Sequence, residues 1–245
     1  ISQLEIVISW DKIKEYTRVL NDLTNQFGSD IILSRVNRKD SAKTSGGKFN
    51  HLISHGFSLS ETGELSNFLS DNKHLVSGVQ FTITRGDCPW KASELMQKFA
   101  NATGCKPYLY IKSTEASPAE RFDDEISNTL RFGDICLAAI GNNVNVIIDT
   151  FDDADRGYFT RTGLVDRRFN PRVASNIVSE LIQRLGMDGP WQVKQDDKIH
   201  RLINSQNKTI RVGLEKSLNS GEKLINPFTG REDKTHEPSV YIIEG

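Results

Sequence analysis

The chain has 245 residues, with 31 Lys and Arg against 32 Asp and Glu, and a net charge of -1. That length suits one large domain, or a domain with an appendage, and buries a substantial core without disulfide or metal staples. The balanced charge excludes a nucleic-acid binder that works through a bulk positive field, and no stretch approaches the roughly 18–20 apolar residues of a membrane span.

Neither a nucleic-acid partner nor a membrane is therefore expected. The three cysteines, Cys88, Cys105 and Cys136, are odd in number and lack a CxxC pair. They do not make a disulfide framework, and they lean the location toward a reducing compartment such as the cytoplasm. The chain opens on Ile1, which reads as a trimmed or processed start.

In chain order, Ile6-Val7-Ile8 is the first strand candidate. Residues 11–27 then place Ile13, Tyr16, Leu20, Leu23 and Phe27 on one helical face, with Gly28 as the stop. Ile31 to Leu33 reads as a strand, residues 37–48 as a polar loop, and His51 to Phe57 as a weaker strand. Ser58 and Glu61 have capping-box spacing and open a helix through Phe68 and Leu69. Val79 to Thr84 alternates as a strand does. Asp87 and Pro89 introduce a helix bearing Leu95, Met96 and Phe99, which Gly104 ends. Pro107 to Lys112 is a strand. Ser117-Pro-Ala-Glu120 starts a helix carrying Phe122, Ile126 and Leu130, stopped at Gly141-Asn-Asn143. Val144 to Ile148 reads as the clearest buried strand, and residues 149–172 as a long polar loop. Val173 to Leu185 carries a wide apolar stripe.

Beyond Trp191 the pattern changes to short strand-like runs, Thr209 to Leu214 and Val240 to Ile243, separated by turn residues. The expected organisation is a β/α domain over 1–187 and a β-rich segment over 188–245. Strand–helix alternation implies a parallel sheet covered by helices, open or closed into a barrel. About six β/α-like units are counted, against the eight strands of a full barrel.

In either architecture ligands bind at the carboxyl ends of the strands. Asp87, Glu115 and Asp149 follow three strand ends, and His51 and His55 lie on the weaker strand. Two carboxylates across a cleft are the minimum machinery of glycosidic cleavage: one donates a proton, the other attacks or activates water. Helix capping by Asp87 and simple solvent exposure of Glu115 are the plain alternatives. Asp152 to Gly157 lacks the closing Glu of a calcium loop, so no metal is assigned there. Its arginines, Arg156 among them, suit loop pairing or an anionic substrate. The chain contains no GxGxxG, GxxxxGK[ST], GxSxG or HExxH, which disfavours standard nucleotide binding and a nucleophile-elbow hydrolase.

Val144-Asn-Val-Ile-Ile-Asp-Thr-Phe151, then Gly163-Leu-Val-Asp-Arg-Arg-Phe-Asn-Pro-Arg-Val-Ala174 and an apolar helix, resemble the last β/α unit of TIM-barrel glycoside hydrolases. The matching positions are Gly163, Leu164, Asp166, Phe169, Pro171, Arg172 and Ala174. The resemblance implies an α/β fold with a TIM-barrel-like parallel sheet and a β-rich C-terminal segment. It also implies that Pro107 to Lys112 is the penultimate barrel strand, whose nucleophile position falls at Glu115. No Asn-Glu pair supplies the family's acid, and no Trp stands on the last strand.

The expected function is a carbohydrate-active enzyme, a glycoside hydrolase. Glu115 works with Asp149 or Asp87 as the carboxyl pair. Trp90, Tyr158, Phe159, Arg156 and His55 face the carbohydrate substrate, with no cofactor or metal. Three alternatives remain open from the same residues: a metal-dependent sugar isomerase or epimerase using His51, His55, Glu115 and Asp149, a non-catalytic binding or assembly module, and a nuclease.

Overall fold

A computed structural model describes residues 4–8, 13–27, 31–37, 54–83, 87–111, 125–148, 151, 163–166, 168–185, 189–196, 199–206, 209–213, 221, 223–226, 231–232 and 241–244. They fall into two compact units. One holds residues 1–118 and 144–149, the other residues 119–143 and 150–245.

The first unit is built on a parallel sheet of β1 (Leu4–Ile8), β2 (Ile31–Asn37), β4 (Gly78–Ile83), β5 (Lys106–Ile111) and β6 (Asn145–Ile148). The short β3 (Ser54–His55) joins it antiparallel on β2. The parallel strands stand side by side in chain order, β1-β2-β4-β5-β6. A doubly wound sheet reverses direction at a switch point. This one does not reverse, which is the winding of a (β/α) barrel. The helices α1 (Ile13–Phe27), α2 (Thr62–Asn72) and α3 (Pro89–Thr103) lie between successive strands. Crossovers of one hand bring such helices to the same side of the sheet.

Strand alternation explains what each face does. Val79, Phe81 and Ile83 pair in register with Pro107, Leu109 and Ile111. All six are buried, and Phe81 meets Phe99 of α3 edge-on at 5.1 Å. Each such side chain contributes about 1.5–3 kcal/mol by leaving water. The opposite face is mixed: Glu5, Ser34, Gln80, Thr82, Tyr108, Tyr110 and Asn145 share it with Val7, Ile32 and Ile147. The Gln80 amide donates to Glu5 Oε1 at 3.1 Å and to Ser34 Oγ at 3.2 Å. The first bond reaches over β2, across two strand spacings of about 4.8 Å each.

The carboxyl end of the sheet is wedged open. β2 and β4 pair only at Ile32–Gly78 and Leu33–Val79. Past that point the segment 54–57 comes between them. On one side, β3 pairs with Val36 and Asn37, and the Gly56 N–H donates to the Arg35 carbonyl at 2.7 Å. On the other, the Phe57 N–H donates to Gln80 O at 2.9 Å, and Phe57 O accepts from the Thr82 N–H at 2.8 Å. Gly56 has φ of +123°, and a Cβ there would lie 2.6 Å from Thr82 Oγ1 and 2.9 Å from the Phe81 carbonyl carbon. Only glycine fits both the dihedral and the space.

The second unit holds α4 (Glu125–Gly141), α5 (Val173–Leu185) and an antiparallel sheet. Its strands are β7 (Trp191–Asp196), β8 (Ile199–Asn204), β9 (Thr209–Gly213), β10 (Lys223–Ile225) and β11 (Tyr241–Glu244), in the order β10-β11-β9-β8-β7. Gly133 lets α4 come close to Ile177 of α5, and Gly141 lets it approach Val193 and Leu202 of the sheet. Trp191 is buried with its indole N–H donating to Leu185 O at 2.8 Å, which ties β7 to the end of α5.

Several sequence expectations change. Of the 51–57 run, Ser54–His55 is a two-residue strand antiparallel to β2 and Phe57 makes an isolated parallel bridge to Phe81, so the parallel strands number five among the described residues. The helix after Ser58 begins as a 3-10 turn, Leu59–Glu61. Residues 117–124, where a helix start was expected, lie outside the described residues; α4 is described from Glu125. Val144 to Ile148 is less buried than its composition suggests, with Val146, Ile147 and Ile148 half-buried; among the described residues β6 pairs only with β5. The β7–β8 hairpin has no counterpart in the sequence reading: alternation with Gln, Lys and Arg thins its apolar signal.

Candidate active site

Three of the eight expected site residues lie among those described. His55 ends β3 and is in register with Val36 near the carboxyl end of β2. Asp87 and Trp90 flank the start of α3, after the carboxyl end of β4. All three therefore belong to the end of the sheet where βα loops carry ligands. Glu115, Asp149, Arg156, Tyr158 and Phe159 lie outside the described residues, as does His51.

The local sequence explains the α3 entry. Cys88 is the N-cap and Pro89 stands in the first turn, where its missing N–H costs nothing. Asp87, half-buried, precedes the cap, where a carboxylate interacts favourably with the positive end of the helix. Trp90 is half-buried, and its carbonyl accepts from Ser93 Oγ at 3.1 Å. Gly104, at φ of +74°, closes the helix with its N–H on Ala100 O.

The wedge carrying His55 is anchored by charge. Arg35 pairs with Glu61, and the two side chains are only 14% and 16% exposed. The second Glu61 oxygen accepts from the Ser58 N–H at 2.7 Å. One carboxylate thus satisfies both a guanidinium and the backbone at the turn into α2. Sequence reasoning missed Arg35; Glu61 was seen only as a capping residue.

The phrase 163–174 is a helix-entry loop. The Asp166 carboxylate accepts from the backbone N–H groups of Arg168 at 2.8 Å and Asn170 at 2.9 Å, and from the Asn170 side-chain amide at 2.9 Å. The Asn170 side-chain amide first, and then the backbone N–H groups, hold the Asp166 carboxyl below the usual carboxylate range. Phe169 is forced to φ of +60° and stands 70% exposed. Arg172 N–H returns to Leu164 O at 2.9 Å, and α5 begins at Val173. Pro171 stands two residues ahead of the helix, bridged to Val165, rather than in its first turn. An Asp whose carboxylate meets N–H groups two and four positions on is the signal of such a turn.

The polar residues of that sheet face have no sequence signal beyond alternation. Gln80 is 1% exposed, and its Oε1 has no hydrogen-bond partner among the described residues. Among those residues no group of three His, Cys, Asp or Glu is placed to hold a metal ion. No helix among them is long and apolar enough to cross a membrane.

The winding and the strand-end positions define the class: an α/β fold with a TIM-barrel-like parallel sheet, accompanied by an antiparallel β-rich segment. Its likeness to a solved structure agrees. A family 39 glycoside hydrolase from the gut symbiont Bacteroides cellulosilyticus WH2 superposes with a TM-score of 0.57 at 10% identity, covering 100% of this chain and 56% of that one. The chain thus spans little more than half the length of that enzyme. A GH39 β-xylosidase from Caulobacter crescentus superposes more weakly, with a TM-score of 0.43 at 11% identity over 94% of this chain and 71% of that one. At such identities the likeness is one of fold. No protein-family model and no curated protein sequence matches the chain.

Proposed function

We propose that the chain acts on a carbohydrate and cleaves a glycosidic bond with paired carboxyl groups. Residues 1–187 form the β/α domain of this reading and 188–245 its β-rich segment. One observation carries the proposal. Strands β4, β5 and β6 are consecutive neighbours, and each is followed by one of the three carboxyl residues. Asp87 follows β4 at Ile83, Glu115 follows β5 at Ile111, and Asp149 follows β6 at Ile148. The glycoside-hydrolase fold of the structural neighbour supports the same chemistry by analogy.

Strand β5 neighbours both β4 and β6, so the strand that Glu115 follows is one spacing, about 4.8 Å, from the strands that Asp87 and Asp149 follow. Glu115 is paired with Asp149 or Asp87; a carboxyl separation of roughly 5–5.5 Å suits retention and ~6.5–9.5 Å inversion. In this reading one protonated carboxyl donates to the leaving oxygen while the other attacks the anomeric carbon or activates water there. His55, Trp90, Arg156, Tyr158 and Phe159 line the sugar site.

The test is turnover of an aryl-glycoside panel by Glu115→Gln and Asp149→Asn. Each variant loses at least about a hundredfold in kcat, the usual worth of a positioned proton-transfer group. Unchanged turnover by Glu115→Gln in an active preparation sinks the assignment.

A further inference from the structure

The two most exposed large apolar side chains among the described residues belong to one loop, the connection from β6 to α5. Phe169 is 70% exposed and Phe151 63%. Neither ring pairs with another aromatic among those residues. The backbone links their segments. Phe151 O accepts from the Val165 N–H at 3.0 Å, and Val165 is bridged to Pro171, two residues past Phe169.

The Phe169 backbone is unfavourable as well. Its φ of +60° is left-handed, a conformation that glycine adopts freely and a bulky side chain rarely does. The turn imposes it from both sides. The Phe169 N–H donates to Asp166 O at 2.8 Å, and the Asp166 N–H donates to Asn170 O at 2.9 Å. The Asp166 carboxylate holds the Arg168 and Asn170 amides. Folding gains neither burial nor an easy dihedral from a phenylalanine here. Strain and exposure meeting in one residue point to a use outside folding.

We propose that Phe169 stacks on a sugar ring of an uncharged glycan substrate. A pyranose presents a flat C–H face edged by hydroxyls, so it takes an apolar ring flanked by hydrogen-bonding groups. Phe169 is such a ring: its neighbours in the turn, Arg168 and Asn170, are exposed and polar. A protein partner instead selects a contiguous apolar patch. The loop also leaves the carboxyl end of β6, the end of a strand where βα loops carry ligands, and it opens at Asp149. The choice of a sugar rests on the functional reading above; the exposure and the strain of Phe169 do not.

The experiment titrates the chain with cellohexaose, mannohexaose and xylohexaose by calorimetry, in a Glu115→Gln background that keeps the ligand intact. At least one hexasaccharide binds. Phe169→Gly weakens that binding about fivefold or more, and Phe169→Trp, which keeps an aromatic face, by less than about twofold. Phe169→Gly also holds or raises the thermal midpoint, because glycine takes the left-handed dihedral without strain. A purely structural phenylalanine does the opposite: its loss lowers the midpoint and leaves the affinity alone. No binding of any of the three sugars, equal binding by Phe169→Gly, or a midpoint lowered by more than about 2 °C overturns the proposal. So does a dimer of the parent chain that Phe169→Gly dissociates in sedimentation, which makes a second copy the occupant. A chain that binds a hexasaccharide through Phe169 and cleaves no glycoside loses the catalytic reading and keeps this site. One that cleaves glycosides while Phe169→Gly binds as tightly as the parent does the reverse.

Discussion

Replacing Gly56 by Ala tests the wedge that opens the carboxyl end of the parallel sheet. Gly56 sits at φ of +123°, in a region that side chains rarely adopt. Holding an alanine there costs about 1–3 kcal/mol in backbone strain. The added Cβ also meets Thr82 Oγ1 at 2.6 Å and the Phe81 and Thr82 backbone at 2.9 Å, so β4 itself has to shift. Overpacking of that kind adds roughly 1–3 kcal/mol. The combined loss is about 4 kcal/mol. At roughly 2–4 °C per kcal/mol for a chain of this size, the midpoint falls by about 8–16 °C in a thermal scan. Gly63→Ala is the matched control: it lies in α2 with nothing within 4 Å of the new methyl, and it gains up to about 1 kcal/mol. Hydrogen exchange adds a local readout, because the Phe57 and Thr82 amides bond across the wedge and lose protection in Gly56→Ala. A Gly56→Ala protein within about 1 kcal/mol of the parent, with those amides still protected, refutes this account.

Two further outcomes follow from the charges and thiols. The Asp166 carboxyl is held below its ordinary value by Asn170 and the Arg168 amide. Its contribution is present above the ordinary carboxylate pKa of about 4 and is lost as pH falls through the lowered folded value. Asp166→Ala accordingly flattens the acid limb of a stability–pH profile, and an unchanged limb counts against the Asp166 turn. A thiol reagent at pH 8 modifies one cysteine quickly in the native protein, exposed Cys88, and all three in denaturant. Burial pushes the Cys105 thiol up, and the Cys136 thiol to about 12. Fast reaction at Cys136 would contradict its packing.

Much of the fold was legible because helices and parallel strands announce themselves by periodicity. The helix stops at Gly104 and Gly141 and the Pro89 helix entry are local chemistry, and they sit where local chemistry puts them, although Cys88 rather than Asp87 is the cap. The half-burial of β6 was hidden, because an apolar run reports what a strand can bury and not how far its neighbours cover it. The wedge at residues 54–57 was hidden for a related reason: its geometry depends on Arg35, Gln80 and Thr82, distant in sequence. The β7–β8 hairpin was hidden because Gln195 and His200 stand where the alternation set by Trp191, Val193 and Leu202 calls for apolar residues. Of the site, the strand-end rule located His55, Asp87 and Trp90 at one end of the sheet. The Arg35–Glu61 anchor was illegible, since partners on separate elements leave no spacing to read.

The chain-order arrangement of the parallel strands has a consequence for how the molecule is made. Every neighbour in that sheet is the next parallel strand to be synthesised, with no partner left waiting across a reversal. Loop closure then joins only successive units, the least costly non-local contacts a parallel sheet allows. The sheet can assemble by accretion from β1 onward, each new strand docking on an edge already formed and in turn presenting the next.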